Sequence, residues 1–427
     1  MSNENPKDWH TVKLEDLCER ITVGHVGPMA DKYVEAGIPF LRSQNIQPFR
    51  LNMTDVKYID DDFHRQLKKS AIEPGDVVVV RTGYPGTACV VPFKLSVANC
   101  ADLVIIKPSK DLNGWFLATI FNSSWGRGTV AGKLVGVAQQ HFNIGAARQM
   151  KIHLPPLATQ QKIAGVLGAY DELIENNRRR IEILEEMARR LYREWFVQFR
   201  FPGHAHVPLT DSPLGKIPKG WERKPLREIA DLRLGKMLDA KKNKGDLMPY
   251  LANVNVRWGA FDLQNLREMR FEADERETCG LRYGDIVMCE GGEPGRCAIW
   301  TEQVPNMMIQ KAIHRIRSRQ EVGFRYLYYN LRHKGQTGHL ASLFTGATIK
   351  HLPREKLDIV MVEVPTKSLT DLFSKIVEPM ALQVEVLTKR NAILRKTRDL
   401  LLPRLISGEL DVSELPIEVE EAARDGE

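Results

Sequence analysis

The sequence predicts an α+β protein with two similar mixed α/β domains, related by a pseudo-twofold and separated by two long helices packed as an antiparallel coiled coil. Two observations predict it. Residues 8–200 and 220–410 can be aligned with one another at an offset of about 210 residues. Each copy also ends in a long segment whose apolar residues recur at alternating spacings of three and four, the heptad pattern. Because solenoid repeats are only ~20–50 residues long, each copy is expected to be a domain with an attached helix.

The repeat is anchored by matching motifs that keep their order. PFLRSQNI at 39–46 matches PYLANVNV at 249–256, and GDVVVVRTGYPG at 75–86 matches GDIVMCEGGEPG at 284–295. Three single positions follow at the same offset: Gly136, His141 and Pro155 match Gly346, His351 and Pro365. Two similar but non-identical modules indicate a molecule that reads two sites at a fixed separation.

Within each copy, short apolar runs broken by Gly and Pro turns predict strands, and a proline-free segment then predicts a helix from Gln160 to about Phe199. In the second copy, Pro379 predicts a kink or restart, and Pro403 predicts that the helix bends or ends near Leu402. The expected organisation is a first domain at 1–154, a first helix at 155–200, a linker at 201–219, a second domain at 220–365, a second helix at 366–408 and an acidic tail at 409–427.

The heptad positions define a seam along each helix, which would bind the other helix or a partner protein. Asn177 and Asn391 each occupy one seam position, where a buried amide commonly fixes register. Arg398 interrupts the second stripe. The apolar seam residues are Leu167, Tyr170, Ile174, Ile181, Leu184 and Leu191 in the first helix, and Val384, Leu387, Leu394 and Leu401 in the second.

The charge of the chain indicates a polyanionic partner. There are 61 Lys and Arg against 54 Asp and Glu, a net charge of +7. From Glu409 onward the tail holds eight acidic residues and one Arg, so the remaining residues carry about +14. The polar N-terminus and the lack of any long apolar run favour neither a signal peptide nor a membrane span, and a cytoplasmic protein is expected.

The motifs of several enzyme classes are missing. The sequence contains no Walker A motif, no HExxH, no GxSxG and no Asn/Asp-Pro-Pro-aromatic tetrapeptide of amino-methyltransferases. The six cysteines form no CxxC pair, and His204 and His206 lie in the linker without thiolate or carboxylate companions. We therefore predict no catalytic residue and no metal site.

Two stretches have the composition of a nucleic-acid surface. Between Asn306 and Lys356 there are ten Lys or Arg residues, interleaved with tyrosines, against two acids; Phe121–His153 contains four Lys or Arg and no acid. Such stretches are expected where a protein follows phosphates. The alternative is a merely solvated basic face.

The residues that read bases should differ between the copies while the framework stays alike. Arg81 aligns with Glu290, and Tyr84 with Glu293; Arg suits guanine, Gln and Asn suit adenine, and Glu can accept from cytosine. Drift in loops without function would look similar. The candidate DNA-binding residues are Arg42, Gln44, Arg81, Thr82, Tyr84, Gln139, Gln140 and His141 in the first copy, and Asn253, Asn255, Glu290, Glu293, Lys350 and His351 in the second.

This organisation resembles the specificity subunit of type I restriction-modification systems over nearly the whole chain. The most specific parts are LPPLATQQKIAGVLGAYDELIENNRRRIEILEEMARRLYREWF at 154–196 and RNAILRKTRDLLLPRLISGEL at 390–410, which look like the family's central and C-terminal conserved regions. The turns of the form GD-x(n)-G-x-x-G look like parts of its target recognition domains.

The resemblance implies a subunit without catalytic activity that recognises a bipartite double-stranded DNA site, one half per recognition domain. It implies that the helices recruit two modification subunits, which methylate adenine with S-adenosylmethionine, and through them restriction subunits that use ATP and Mg. No cofactor is then expected on this chain. Two alternatives stay open at this point: a fused methyltransferase or nuclease, and a coiled-coil adaptor that binds only protein.

Overall fold

The chain divides into two compact units. A computed structural model describes residues 8–133, 141–212, 215–237, 243–319 and 322–416. The first unit comprises Met1–Arg179 and Leu387–Glu427, and the second comprises Arg180–Val386. Each unit therefore holds one mixed α/β domain together with one part of each long helix. We call these domains recognition domain 1 and recognition domain 2.

Ten α-helices are found in the described ranges, and two of them are much longer than the rest. The first of these has 36 residues and the second has 40. The helices are α1 Asp61–Gln66, α2 Gly114–Asn122, α3 Ser124–Ala131, α4 Ile144–Arg148, α5 Leu157–Tyr192, α6 Leu226–Ile229, α7 Ala273–Cys279, α8 Phe324–Gln336, α9 Arg354–Asp358 and α10 Lys367–Ile406.

Recognition domain 1 contains two four-stranded sheets and two strand pairs. The sheet orders are β2-β11-β8-β9 and β6-β3-β10-β7, and the pairs are β1-β12 and β4-β5. The strands are β1 His10–Lys13, β2 Cys18–Val23, β3 Ile38–Leu41, β4 Ile46–Gln47, β5 Arg50–Leu51, β6 Lys57–Ile59, β7 Ala71–Ile72, β8 Val77–Val80, β9 Ala88–Val90, β10 Ala98–Cys100, β11 Leu103–Pro108 and β12 Lys151–Leu154.

Recognition domain 2 repeats this topology. Its sheets are β16-β24-β21-β22 and β20-β17-β23, its pairs are β15-β25 and β18-β19, and a further pair, β13-β14, lies in the linker. The strands are β13 Leu209–Thr210, β14 Ile217–Pro218, β15 Glu222–Pro225, β16 Ala230–Leu234, β17 Asp246–Leu251, β18 Val256–Arg257, β19 Ala260–Phe261, β20 Arg267–Phe271, β21 Ile286–Cys289, β22 Cys297–Ile299, β23 Met308–Ile309, β24 Ile313–Ser318 and β25 Met361–Val364.

The continuous apolar run of β8 has a simple cause, since both faces of this strand are buried. Val77 and Val79 belong to the core under α2, whereas Val78 and Val80 belong to a second core on the other face. The equivalent strand β21 alternates in the same way between two cores. A strand covered on both sides shows no polar alternation, and β-branched residues suit it.

Each recognition domain is completed by the end of a helix that belongs to the other repeat. Leu405 and Ile406 at the end of α10 share a buried cluster with Phe116 of α2 and Ile163 of α5. In the second unit, Phe196, just beyond α5, lies with its ring 4.7 Å from that of Tyr326 and 5.1 Å from that of Phe373. The partners at the two junctions correspond at the 210-residue offset.

The two long helices run antiparallel within each unit, as predicted. In the first unit Asn177 pairs with Asn391 and Asp171 with Arg398; in the second, Tyr192 contacts Phe373. The first helix begins earlier than predicted, and after Tyr192 it continues as a π-helical turn, Arg193–Val197. The predicted α+β class, with two domains of one topology and two long antiparallel helices, is confirmed.

All ten predicted seam residues face the interior of their unit. Leu167, Ile174 and Leu387 are buried, and the other seven are half-buried. They are therefore seam residues in the structure.

Asn177 and Asn391 form the polar contact expected of register residues. Asn177 Nδ2 donates to Asn391 Oδ1 at 2.9 Å, and Asn391 Nδ2 donates to the carbonyl of Ile174 at 3.2 Å. Both side chains are buried. An amide pair of this kind selects one alignment of two helices, because any other alignment leaves buried donors unsatisfied.

Arg398 interrupts the apolar stripe because it makes an ion pair across the seam. Its Nη1 lies 2.5 Å from Asp171 Oδ1, and its guanidinium lies over the ring of Phe49, 5.8 Å from the centroid. Burial raises the pKa of Asp171, while Arg398 opposes that rise. The residue thus links both helices to the β4-β5 hairpin of recognition domain 1.

Of the alternatives predicted at the two prolines, the restart and the early end are wrong, while a kink at Pro379 or a bend at Pro403 stays a prediction. Helix α10 neither restarts at Pro379 nor ends near Leu402, and it continues to Ile406. Both prolines are exposed, and so are Lys375 and Asp399, whose carbonyls lose their usual donor. Water can hydrogen-bond carbonyls on an exposed face, which lowers the cost of an interior proline.

We predict that replacing the seam amides one at a time destabilises the first unit, whereas replacing both does not. Asn177→Leu leaves Asn391 Oδ1 buried without its donor and should cost about 1–3 kcal/mol of unfolding free energy. The double variant Asn177→Leu/Asn391→Leu should recover at least that loss. Denaturant unfolding of the two single variants and the double variant measures these free energies. A double variant that is less stable than both single variants would contradict the prediction.

Candidate nucleic-acid interface

The glycine-rich turn that follows β8 projects from recognition domain 1. Gly83 and Gly86 have φ of 89° and 88°, values that favour glycine, and between them the Tyr84 side chain is 85% exposed. The turn after β21 has the same geometry, with Gly292 at 80° and Gly295 at 88°. Both repeats therefore present a turn of the same shape with different side chains.

In recognition domain 1 this turn belongs to a polar cluster of four residues. Arg81 Nη1 donates to Asp102 Oδ1 at 2.7 Å, and Arg81 Nε donates to the carbonyl of Phe142 at 3.2 Å. The Thr82 hydroxyl donates to Asp102 Oδ2 at 2.6 Å and lies 3.3 Å from His141 Nδ1. Because the hydroxyl proton goes to the carboxylate, the bond to His141 requires a proton on Nδ1.

In recognition domain 2 the same place holds a carboxylate. The oxygens of Glu290 lie 3.1 and 3.2 Å from His351 Nδ1, so that this nitrogen donates to the carboxylate. At the tip of the turn, Glu293 accepts from Trp258 Nε1 at 3.0 Å and pairs with Arg296 at 2.5 Å. The turn of the second repeat is therefore acidic where that of the first carries Arg81.

The other predicted DNA-contact residues differ in exposure and in their hydrogen bonds. Gln44 and Lys350 are exposed, whereas Arg42 donates to the carbonyl of Asp55 at 2.7 Å. Asn253 Nδ2 donates to the carbonyl of Gly291 at 3.2 Å, which ties it to the second turn. Gln139 and Gln140 lie outside the described residues.

Asn255 has a structural role, which argues against its predicted DNA contact. Its Oδ1 accepts from the backbone of Ala252 at 2.9 Å, and its Nδ2 donates to the carbonyl of Asp262 at 3.0 Å. Asn45 makes the equivalent bonds in recognition domain 1. In both repeats this amide holds the start of the hairpin, so its oxygen and its nitrogen already have hydrogen-bond partners.

Three of the ten basic residues at 306–356 are buried and paired with acids, so they do not form a phosphate-binding surface. Arg315 is 3% exposed and pairs with Asp231 at 2.8 Å, while Arg325 and Arg332 are buried and pair with Glu378 and Glu185. These acids lie outside the stretch, so local composition did not reveal them. The interleaved Tyr326 and Tyr328 are also buried.

Exposed cations do remain around both turns. In the first repeat, Arg127 lies on α3, the helix whose Val130 is in contact range of Gly86 in the turn. In the second repeat, Lys311 and Lys350 are exposed. Both basic stretches therefore contribute exposed cations to the surface.

Three residues of these clusters were not predicted. Asp102, at a positive φ of 51°, holds Arg81 and Thr82, and its counterpart in the second repeat is Lys311. That reversal of charge at an aligned position was a signal available in the sequence. Trp258 and Arg296 align with Pro48 and Thr87, and their contact with Glu293 depends on the fold.

His314 lies beneath the second cluster. It is fully buried on β24, and its Nε2 donates to the carbonyl of Leu352, next to His351, at 2.8 Å. Its Nδ1 has no hydrogen-bond partner among the described residues. Burial lowers the pKa of His314, because a charged imidazole would be desolvated there.

Within the part of the chain that the structure describes, no helix is long and apolar enough to cross a membrane. In the same ranges, no three His, Cys, Asp or Glu side chains come together in a way that could hold a metal ion.

The comparisons with known proteins identify the class of these domains. Residues 6–186 match the family model of the type I restriction modification DNA specificity domain. The match spans recognition domain 1 and most of α5, so the turn and cluster around Arg81 lie inside a DNA specificity domain.

Relatives of the whole chain give the particular kind of protein. The chain is 25% identical over 432 residues to the specificity subunit of the type I restriction enzyme MjaIX of Methanocaldococcus jannaschii, covering 96% of this chain and 95% of the relative. It is 21% identical over 422 residues to the MjaVIII specificity subunit of the same organism, with the same coverage. Over nearly its whole length the chain is therefore similar to specificity subunits of type I restriction-modification systems, the family that its sequence resembles.

A solved structure shows the same fold. The S subunit of a type I restriction-modification system from M. genitalium superimposes with a TM-score of 0.59 at 15% identity, covering 95% of this chain and 98% of that one. The full-length relatives are named as specificity subunits, in agreement with the prediction that this chain is a recognition subunit.

We predict that recognition domain 2 loses stability in acid through His314. The folded pKa is lowered and the unfolded value is about 6.5. The unfolded state therefore binds a proton first, and stability is constant above about pH 6.5. It falls below that pH by up to about 1.4 kcal/mol per unit, until the pH passes the folded pKa.

Hydrogen exchange of β24 measures this loss, and β11 of recognition domain 1, with Val104 at the aligned position, is the internal control. The variant His314→Gln keeps a donor for Leu352 and should remove the acid-dependent step. An equal loss of protection in β24 of this variant would contradict the assignment.

Proposed function

We propose that this chain directs adenine methylation to an asymmetric, gapped DNA sequence, with each recognition domain reading one half of the site. The observation that supports it is the pair of turns with one backbone and opposite polar side chains, Arg81 in one and Glu290 in the other. Two domains that present the same backbone but different polar side chains suit two different half-sites.

The chain supplies recognition, and the chemistry is proposed to lie in partner chains. Two modification subunits would carry S-adenosylmethionine, and restriction subunits would carry ATP and Mg. The assembly would act in the cytoplasm on host and invading DNA. This division agrees with the absence of methyltransferase and nucleotide-binding motifs in the sequence.

The outer faces of the long helices are the proposed docking surface for the modification subunits. With the heptad seam turned inward, several large apolar residues remain on the outside at helical spacings. Ile393 is 66% exposed and Leu400 is 62% exposed, one heptad further on. The others are Leu173, Ile183 and Met187 on α5, and Leu372, Ile376, Leu382 and Val386 on α10. Apolar residues repeated in this way along a helix favour binding of a partner helix.

The direct test is a map of methylated adenines in a host that expresses this chain with its cognate modification subunit. We expect one bipartite sequence with two different halves, and we expect methylation to vanish when the chain is deleted. A single contiguous palindrome would contradict the proposal, and so would a methylation pattern that survives the deletion.

The gap between the halves is proposed to follow the length of the long helices. Inserting seven residues after Arg179 and seven after Val386 lengthens both helices by about 10 Å while nearly preserving their faces. The mapped gap should then grow by about three base pairs, since each step of B-DNA spans about 3.4 Å. Both half-sites should stay unchanged.

The matched control inserts the heptad into α5 alone. The two helices then differ in length, so that the seam cannot keep its register in both units at once, and directed methylation should be abolished. If the doubly lengthened variant keeps the original gap, the helices do not set it.

A further inference from the structure

The backbone places Arg81 and Glu290 at the same point of their domains. The Phe142 amide donates to the Arg81 carbonyl at 3.2 Å, and the equivalent Leu352 amide donates to the Glu290 carbonyl at 2.7 Å. Val80 and Cys289 precede Arg81 and Glu290 by one residue. Their carbonyls accept from the amides of Gly86 and Gly295, each at 3.0 Å. Any difference between the two positions is therefore a difference of side chain and not of frame.

Residues that maintain this frame are the same in both repeats. Asp76 and Asp285 are each 1% exposed and accept from a backbone amide three residues earlier, at 3.0 and 2.8 Å. The hairpin amides Asn45 and Asn255 are conserved between repeats in the same way. A residue needed only to hold the turn would be expected to follow this pattern.

Arg81 and Glu290 differ between the repeats, because Arg81 is positively charged and donates hydrogen bonds, whereas Glu290 is negatively charged and accepts them. The reversal extends to the next position in the cluster, where Asp102 aligns with Lys311. These two residues are aligned by their backbones, because the Asp102 amide donates to His25 and the Lys311 amide to Lys236. The backbone frame does not require the exchange, so these positions are free to differ according to what each cluster contacts.

Both side chains are held in place but remain partly accessible. Arg81 is 16% exposed and is fixed through Nε and Nη1, which leaves Nη2 and the outer edge of the guanidinium for a ligand. Glu290 is 18% exposed and is fixed by one contact to His351, which leaves most of its acceptor capacity. Side chains fixed beforehand lose less entropy on binding.

We propose that Arg81 and Glu290 each read one G·C base pair with opposite polarity: Arg81 contacts the guanine edge and Glu290 the amino group of cytosine. Arginine donates two bonds to guanine O6 and N7, whereas a carboxylate accepts from cytosine N4. A carboxylate close to DNA phosphates is unfavourable unless such a donor compensates it. This proposal rests on the proposed function and adds the base class at one position of each half-site.

Methylation mapping of variants is the first test. Arg81→Gln should relax one G·C position in a single half-site by about 10- to 100-fold, and Glu290→Gln should move one position of the other half-site from cytosine towards adenine. Arg127→Gln, on the exposed face of α3, is the control and should weaken methylation evenly without changing the sequence. Variants that methylate the original sequence unchanged would overturn the proposal.

Base analogues test the same contacts with the unaltered protein, so that misfolding plays no part. Purified complex with its modification subunits is titrated with duplexes that carry 7-deazaguanine, or a cytosine analogue without its 4-amino group, at single positions. We expect 7-deazaguanine at one position of one half-site, and the cytosine analogue at one position of the other, each to weaken binding by about 10-fold or more. In the Arg81→Gln complex, which keeps native Glu290, the first effect should disappear and the second remain.

Two outcomes separate the proposals. If the wild-type chain directs methylation to a bipartite site but every analogue of the first half-site binds normally, the contact of Arg81 is wrong while the function stands. If the wild-type chain directs no methylation to any sequence, the proposed function fails and this contact with it.

Discussion

The burial of each helix end in the recognition domain of the other repeat is the constraint on which the rest of the structure depends. The end of α10 closes the core of recognition domain 1, and the end of α5 closes that of recognition domain 2. Because each domain buries a segment of the other repeat, neither repeat completes its core alone. The antiparallel order of the helices follows, since only that order brings each helix end to the start of the other helix.

This arrangement separates the parts that must stay constant from the parts that can vary. Strands β8 and β21 lie between two cores, and their glycine turns keep the same backbone. The side chains on the turns are not needed for the core, so Arg81 and Glu290 could diverge without cost to the fold. The DNA sequence that is recognised can therefore change without a change in stability, because the residues proposed to contact DNA are not the residues that form the cores.

The repeat, the long helices and the turns could all be predicted because they leave periodic or aligned signals. Heptads reveal a helix seam, and a 210-residue offset reveals a duplicated frame. Even the polar seam residues Asn177 and Asn391 could be identified, since their role depends on position along one helix.

Other features depend on residues that are distant in the sequence. Arg315, Arg325 and Arg332 looked like a basic surface, but their acidic partners lie outside that stretch. A restart at Pro379 was wrongly expected, because the exposure of the helix face, which decides the cost of an interior proline, is a property of packing.

The central claim is that one chain carries two readers with different half-sites. Equilibrium binding of the assembled complex to three duplexes tests it most directly: the mapped site, a duplex with two copies of the first half-site, and one with two copies of the second. The account predicts that the mapped site binds tightest and that each duplicated site is weaker by at least about 10-fold, since mismatched base pairs cost ~1–3 kcal/mol each. Equal affinity for the mapped site and either duplicated site would contradict it.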